Sequence, residues 1–416
     1  MKNSYLSIIL LFSGIAHPVY CQTNTDSVFK IAIKYSQSQH YIPAIQIAKT
    51  AIQMDPKRGD ILVFIANVYS WQSKNDSALL YIQKAQEINY HQDEFYESWT
   101  NILLRSHQYE ALFQSLTEAE MQHYSKNDIL KKRLIAYYEM KRYDKGIKLL
   151  EDPENRRFIQ SEPFNNMYTD FLMKRNTNLI SAYYTLDFFG NGLMSQHLGS
   201  LGYSFKMGAN NLGFTANYAN RYGLNDVQLE SNFYLMLGNK QYMYFNYGYA
   251  FNATLFPLHR AGLEYYFAPC LQFEESLGGR YMYYPGSNSS VLIVTGHLGK
   301  TIARNWVSVR PFYVYVSKNN THSLSFVGNY RLFGKNALEY WGLELGYGNS
   351  PDEKYSTSQL IGFNQLKTYR VKVEKNIMMN RVSDFHIGIG YSREEYILNN
   401  FRDRYTLELG YKIRLK

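Results

Sequence analysis

The carboxyl-terminal residues Asp403 to Lys416 constrain the chain most. Tyr405, Leu407, Leu409, Tyr411, Ile413 and Leu415 are apolar, and the residues between them, Thr406, Glu408, Gly410, Lys412, Arg414 and Lys416, are small or polar. A repeat of two without a slip marks a strand with one oily and one wet face. About eleven residues of such a strand, tilted, cross the hydrocarbon of a bilayer. The stretch predicts the closing strand of a membrane barrel, provided that similar strands precede it.

They do, from Asn178 onward. Alternating segments fall near 178–188, 195–207, 210–220, 225–237, 241–251, 257–267, 271–283, 289–299, 304–316, 321–333, 337–348, 366–378, 382–393 and 402–415. This predicts an antiparallel barrel of fourteen strands, with twelve also compatible with the pattern. Every second connection is a tight turn, as at Met207-Gly208-Ala209-Asn210, Gly238-Asn239-Lys240, Gly334-Lys335-Asn336 and Met379-Asn380-Arg381. The others are generally longer, and the longest runs from Gly348 to Gln365. Short turns on one rim and long loops on the other are the outer-membrane arrangement. A mean hydropathy of −0.38 does not oppose it, because only alternate residues face lipid. Tyrosine numbers 40, and 26 of these follow Asn178, as aromatic girdles at two membrane interfaces require.

A soluble sandwich is the rival reading. Against it stand long apolar faces, such as Phe385, Ile387, Ile389 and Tyr391, or Trp341, Leu343, Leu345 and Tyr347. Lipid leaves no unpaired sheet edge tolerable, so the sheet must close. The wet faces then give a candidate lumen lining: Glu230, Glu264, Arg310, Arg331, Glu344, Arg370, Lys372, Glu374, Glu408 and Lys412, with Arg414 beside them. Charges of both signs pointing inward are expected to pair and fill the barrel, since an unpaired one is costly. The functional alternative is a selectivity lining whose basic excess favours anionic solutes or polymers.

The amino end reads differently. Lys2, an apolar run from Leu6 to Ile15 and a cut after Cys21 describe a signal peptide over residues 1–21. Reading Cys21 as a lipidated first residue is opposed by the bulky Tyr20 before it. After that cleavage only Cys270 remains, so no intrachain disulfide is expected. From residue 22 to about 155 the periodicity is helical and returns at a spacing of 34: Ala32, Ala66, Thr100, Leu134; Tyr35, Tyr69, Leu103, Tyr137; Ala44, Ala78, Leu112, Gly146; Ala51, Ala85, Ala119, Pro153. Small residues where two helices touch, with Asp55-Pro56 ending the first unit, resemble tetratricopeptide repeats, and predict four stacked helical pairs. An irregular helical bundle is the alternative. Residues 156–177 read as a linker with a capping helix.

Repeats, linker and tyrosine-rich strands beginning Leu179-Ile180-Ser181-Ala182-Tyr183-Tyr184, with Gly346-Tyr347-Gly348-Asn349-Ser350-Pro351-Asp352 before the long loop, resemble the YaiO family of outer-membrane β-barrel proteins, in the form with amino-terminal repeats. The chain departs from many barrels in ending Arg414-Leu415-Lys416 rather than on an aromatic residue. The resemblance implies the outer membrane, with the repeats in the periplasm. A more distant likeness in layout, to exporters of cellulose and poly-N-acetylglucosamine, suggests a port for a surface glycan or a related solute. The other expectation is a non-conducting docking protein that recruits a periplasmic partner through its repeats. Expected partners are outer-membrane lipid and lipopolysaccharide, which a net charge of +9 suits, and a periplasmic protein or glycan on the repeats; nucleic acid is not expected. No His-Glu-x-x-His, Cys-x-x-Cys or phosphate-binding glycine loop occurs, so no cofactor or metal is expected. Ser383, Asp384 and His386 near one turn, and Ser350 and Asp352 on the other rim, are the nearest approach to a hydrolytic triad. Turn chemistry explains them, and no enzyme is predicted.

Overall fold

The computed structural model describes residues 24–416 apart from 191, 239, 271, 319, 335, 337, 349–366 and 398. The segment expected to be a signal peptide, with Cys21, and Lys335, Ser350, Asp352 and the motif beyond Gly348 lie outside the described residues. The chain divides into two compact units, meeting between Leu149 and Leu150.

The first unit is built of helical pairs: α1 (Thr25–Gln37) with α2 (Tyr41–Met54), α3 (Gly59–Trp71) with α4 (Asn75–Glu87), α5 (Asp93–Arg105) with α6 (Tyr109–Met121), and α7 (Lys126–Glu139) followed by α8 (Tyr143–Glu151). Ala32, Ala66, Thr100 and Leu134 are fully buried, as are Ala44, Ala78 and Leu112. The repeat also governs the backbone. Gln39, Ser73, His107 and Lys141, each 34 residues after the last, have φ between 57° and 60°, and Asn89 and His123 adopt the same left-handed conformation at 56° and 61°. In each turn between paired helices the third amide past the helix end returns to a carbonyl five residues back: His40 to Tyr35, Lys74 to Tyr69, Gln108 to Leu103 and Arg142 to Tyr137. This is the left-handed helix ending usually given to glycine. Here the stacking of units enforces it on four unrelated side chains. An acid stands in the first turn of each leading helix, Asp26, Asp60, Glu94 and Asp128, where the helix dipole favours it. Arg58 joins the first two, at 2.6 Å from Asp26 and 2.7 Å from Asp60.

The second unit opens with a 3-10 helix, Arg156–Gln160, and α9 (Phe164–Arg175), and continues into fourteen strands. These are β1 (Asn178–Phe189), β2 (Gln196–Met207), β3 (Asn210–Arg221), β4 (Leu224–Gly238), β5 (Gln241–Ala250), β6 (His259–Cys270), β7 (Phe273–Tyr284), β8 (Ser289–Ile302), β9 (Asn305–Val316), β10 (Thr321–Phe333), β11 (Tyr340–Tyr347), β12 (Thr368–Asn380), β13 (Ser383–Ile397) and β14 (Asn400–Leu415). Each pairs antiparallel with its chain neighbours, and β14 returns to β1 from Asn178 opposite Leu415 to Phe189 opposite Arg404. The sheet is a closed barrel. Leu229, Leu263, Val309, Leu343, Val371 and Tyr405 point outward and are exposed, while the residues between them face in.

Both ends of the barrel sequence lie on the short-turn rim. Two features differ from the expectation. The connection between β10 and β11 is not a tight turn: Gly334 donates to the Glu339 carbonyl at 2.7 Å, a small closed loop that delays β11 to Tyr340. Asn380 belongs to β12, and its side-chain oxygen accepts from the amides of Val382 and Ser383 at 2.9 Å each, making the turn itself. On the opposite rim β3–β4 and β13–β14 are joined by only two residues, shorter than their neighbours.

Candidate functional site

The inner wall of the barrel carries the chemistry. All ten candidate lining residues lie on inward-facing positions of β4, β6, β9 to β12 and β14. They gather into three groups. In the first, Glu230 accepts from the side-chain amides of Asn217 at 2.9 Å and Asn246 at 3.2 Å, and lies 3.4 Å from Arg260. In the second, Glu264 accepts from Ser276 at 2.5 Å and Arg310 at 2.7 Å, with Arg280 at 3.8 Å. The third is larger. Lys372 is 3.2 Å from Glu408, 3.7 Å from Glu344 and 3.8 Å from Glu374, and Arg370 is 2.9 Å from Glu344. Arg331 is 3.5 Å from Glu374 and stacks over Trp306 and Tyr340, and His386 is 3.6 Å from Glu408. Lys412 lies over the Tyr183 ring at 5.6 Å, and Arg414 pairs with Asp384 at 2.9 Å.

Glycines seat these side chains. In the register, Glu230 faces Gly248, Glu264 faces Gly278, Arg370 faces Gly346, Lys372 faces Gly390, Glu408 faces Gly388 and Glu374 faces Gly342. A Cβ on Gly342 would stand 2.4 Å from Glu374 Cγ, and one on Gly278 would stand 2.7 Å from Glu264 Cγ and from the Leu263 carbonyl. Inward side chains converge on a concave wall, so a long charged one can lie flat only where the neighbouring strand has none.

Arg260, Arg280 and Asp226 also line the wall and are absent from the sequence-derived set, as are Asp187, Glu394, Arg402 and Arg404, which pair with one another. Arg260 shares the parity of Glu264 in one strand, which was the signal for it. Asp226 likewise shares the parity of Glu230 in β4, but its partner, a loop, could not be found that way. Its Oδ2 accepts from the backbone amides of Leu255 and Phe256 at 2.8 and 2.9 Å. The β5–β6 connection is thereby drawn inward, burying Leu255 and Phe256 against Leu198, Ala219 and Ala250. Further round, Met282, Tyr284, Val291, Ile293, Phe312, Val314 and Val316 form a buried apolar cluster on the inner wall toward the loop rim. Toward the loop rim the barrel interior is thus apolar along β7 to β10 and charged where β13, β14 and β1 meet, Arg404 lying 3.0 Å from Glu394 and 3.8 Å from Asp187.

Ser383, Asp384 and His386 do not assemble into a relay. Asp384 holds Arg414 and accepts from Asn376 at 3.3 Å, His386 turns to Glu408, and Ser383 Oγ has no hydrogen-bond partner among the described residues. Among the described residues no cluster of three metal-ligating side chains occurs, and no helix is long and apolar enough to cross a membrane.

A closed antiparallel barrel with an apolar outer face, following tetratricopeptide-like repeats, defines an outer-membrane β-barrel protein in contact with lipid. Residues 177–353 match the YaiO membrane beta barrel domain, a match that spans β1 to β11. Among solved structures, a bacterial polysaccharide outer membrane secretin is 7% identical and covers 58% of this chain and 99% of its own, with a TM-score of 0.41. The Acinetobacter baumannii outer membrane protein Omp33 is 10% identical, covering 58% and 98%, with a TM-score of 0.38. Pseudomonas aeruginosa PilF is 18% identical, covering 36% and 69%, with a TM-score of 0.32. No curated protein matches the chain.

Proposed function

We propose that the protein is an outer-membrane port for a surface glycan or a related solute, shut in the state described here, whose repeats stand in the periplasm and dock a partner protein or the polymer. The short-turn rim then faces the periplasm and the loop rim the lipopolysaccharide leaflet. The observation that carries this reading is the inner wall near the short-turn rim. There Tyr183, Tyr234, Tyr242, Tyr244, Tyr266 and Tyr340 are turned inward among hydroxyls and amides, instead of the apolar packing that would make the barrel a mere plug. The second reading, a non-conducting docking protein, is favoured by the ion-paired groups and by the inward β5–β6 connection.

Conductance in planar bilayers separates the two. The native protein is expected to pass little current. Asp226→Ala, which releases the inward connection, is expected to give discrete open events. Flat traces from both, with the barrel folded, leave the docking reading, which requires a periplasmic protein to co-purify with the full chain and to be lost when residues 25–155 are deleted.

A further inference from the structure

We propose that the inner wall of β1 to β6 holds a binding site for a neutral saccharide; the inference rests on the port reading. A cavity of about 480 Å³ lies there, within the range of small-ligand pockets. It exists because the two sides of this wall differ in bulk. On β1 to β3 most inward positions of the lining are small, Ser181, Gly202, Ser204, Gly213 and Thr215, with the larger Leu179 and Asn211 toward the short-turn rim, and the register sets Gly202 beside both Ser181 and Thr215. On β4 to β6 they are large. The Tyr234 and Tyr244 rings lie 4.8 Å apart, and Tyr244 is fixed by the bond its hydroxyl donates to Asn232 at 2.6 Å.

The chemistry of the lining selects the ligand. Among the described residues the hydroxyls of Ser181, Ser204 and Thr215 have no protein partner, and Arg260 keeps a buried Nε without one. A wholly apolar ligand would strip water from these groups and return nothing. An anion would need a cation to spare, whereas Arg260 is already matched by Glu230 at 3.4 Å. A pyranose satisfies both sides: its hydroxyls reach the serines, the threonine and the arginine, and its C–H face lies on a tyrosine ring.

The test is calorimetric titration of the full-length protein, in a detergent without a sugar headgroup, with cellohexaose and with a hexauronate of the same length. Cellohexaose is expected to bind at least tenfold tighter than the uronate. Thr215→Val keeps the shape of the side chain and removes one hydroxyl; it is expected to weaken cellohexaose about tenfold while the unheated protein keeps its electrophoretic mobility. No heat with cellohexaose, tighter binding of the uronate, or equal binding by Thr215→Val overturns the site. A protein that conducts after Asp226→Ala yet takes up no cellohexaose retains the port and loses this site. One that binds and never conducts retains the site and loses the port.

Discussion

Lys132 is the buried cation of the repeats. Its ammonium donates to Thr100 Oγ1 at 2.6 Å and to the Glu97 carbonyl at 3.4 Å, and lies 5.6 Å from the centre of the Tyr124 ring, with no carboxylate in contact among the described residues. Burial therefore pulls its pKa down, from 10.5 to about 8. Between these values the unfolded chain holds a proton that the folded one has released, so stability rises with pH across the window and is flat below it. Lys132→Met is expected to raise the stability of the repeats at pH 7 by about 1 kcal/mol, because Thr100 still has the Tyr96 carbonyl as a partner at 2.5 Å. It should also abolish the rise above pH 8. Thermal melting of the full protein, followed by helical circular dichroism at two pH values, reads both; an unchanged pH slope in the variant refutes the assignment.

Among the elements, α9 shows how a helix is tied to a barrel. Arg381, in the turn between β12 and β13, donates to Asn165 Oδ1 at 2.9 Å and lies 5.2 Å from the centre of the Tyr168 ring, while Tyr168 donates to Glu151 at 2.6 Å. Asn176 then donates to the Arg414 carbonyl at 3.4 Å, where β1 begins. A charge-assisted bond and a cation–π contact together hold the helix. Arg381→Ala is expected to speed amide hydrogen exchange in residues 164–175 about tenfold and to leave the strand amides as they were. Equal exchange in the two proteins would show that α9 is held by its apolar contacts alone.

Closure is the property of the whole molecule. The residues that pair between β1 and β14 are 215 to 237 positions apart in the chain, and their pairing over twelve residues removes both edges of the sheet. In lipid an open edge leaves backbone groups with no water to satisfy them. Deleting residues 400–416 exposes the edges of β1 and β13 together. The full chain is therefore expected to run faster on gels unheated than heated, and the truncated chain to run alike in both. A compact unheated band from the truncated chain would mean that the remaining thirteen strands close by themselves.

The alternation of Tyr405 to Leu415 and its predecessors made the strands and their number legible, because a side-chain period of two needs no knowledge of partners. The spacing of 34 likewise exposed the helical pairs, since each unit packs on the next through the same positions. The parity of Glu230 or Lys372 was enough to turn them inward. What parity could not supply was the register. That Glu374 lies on Gly342, that Lys372 sits among three carboxylates, and that Asp226 draws in Leu255 and Phe256 depend on residues brought together from different strands and a loop. The sequence alone thus determined the local periods, which are written along the chain. Only the tertiary structure decided the pairings, because hydrogen bonds across a sheet and contacts across a lumen join positions whose distance along the chain carries no record of their meeting.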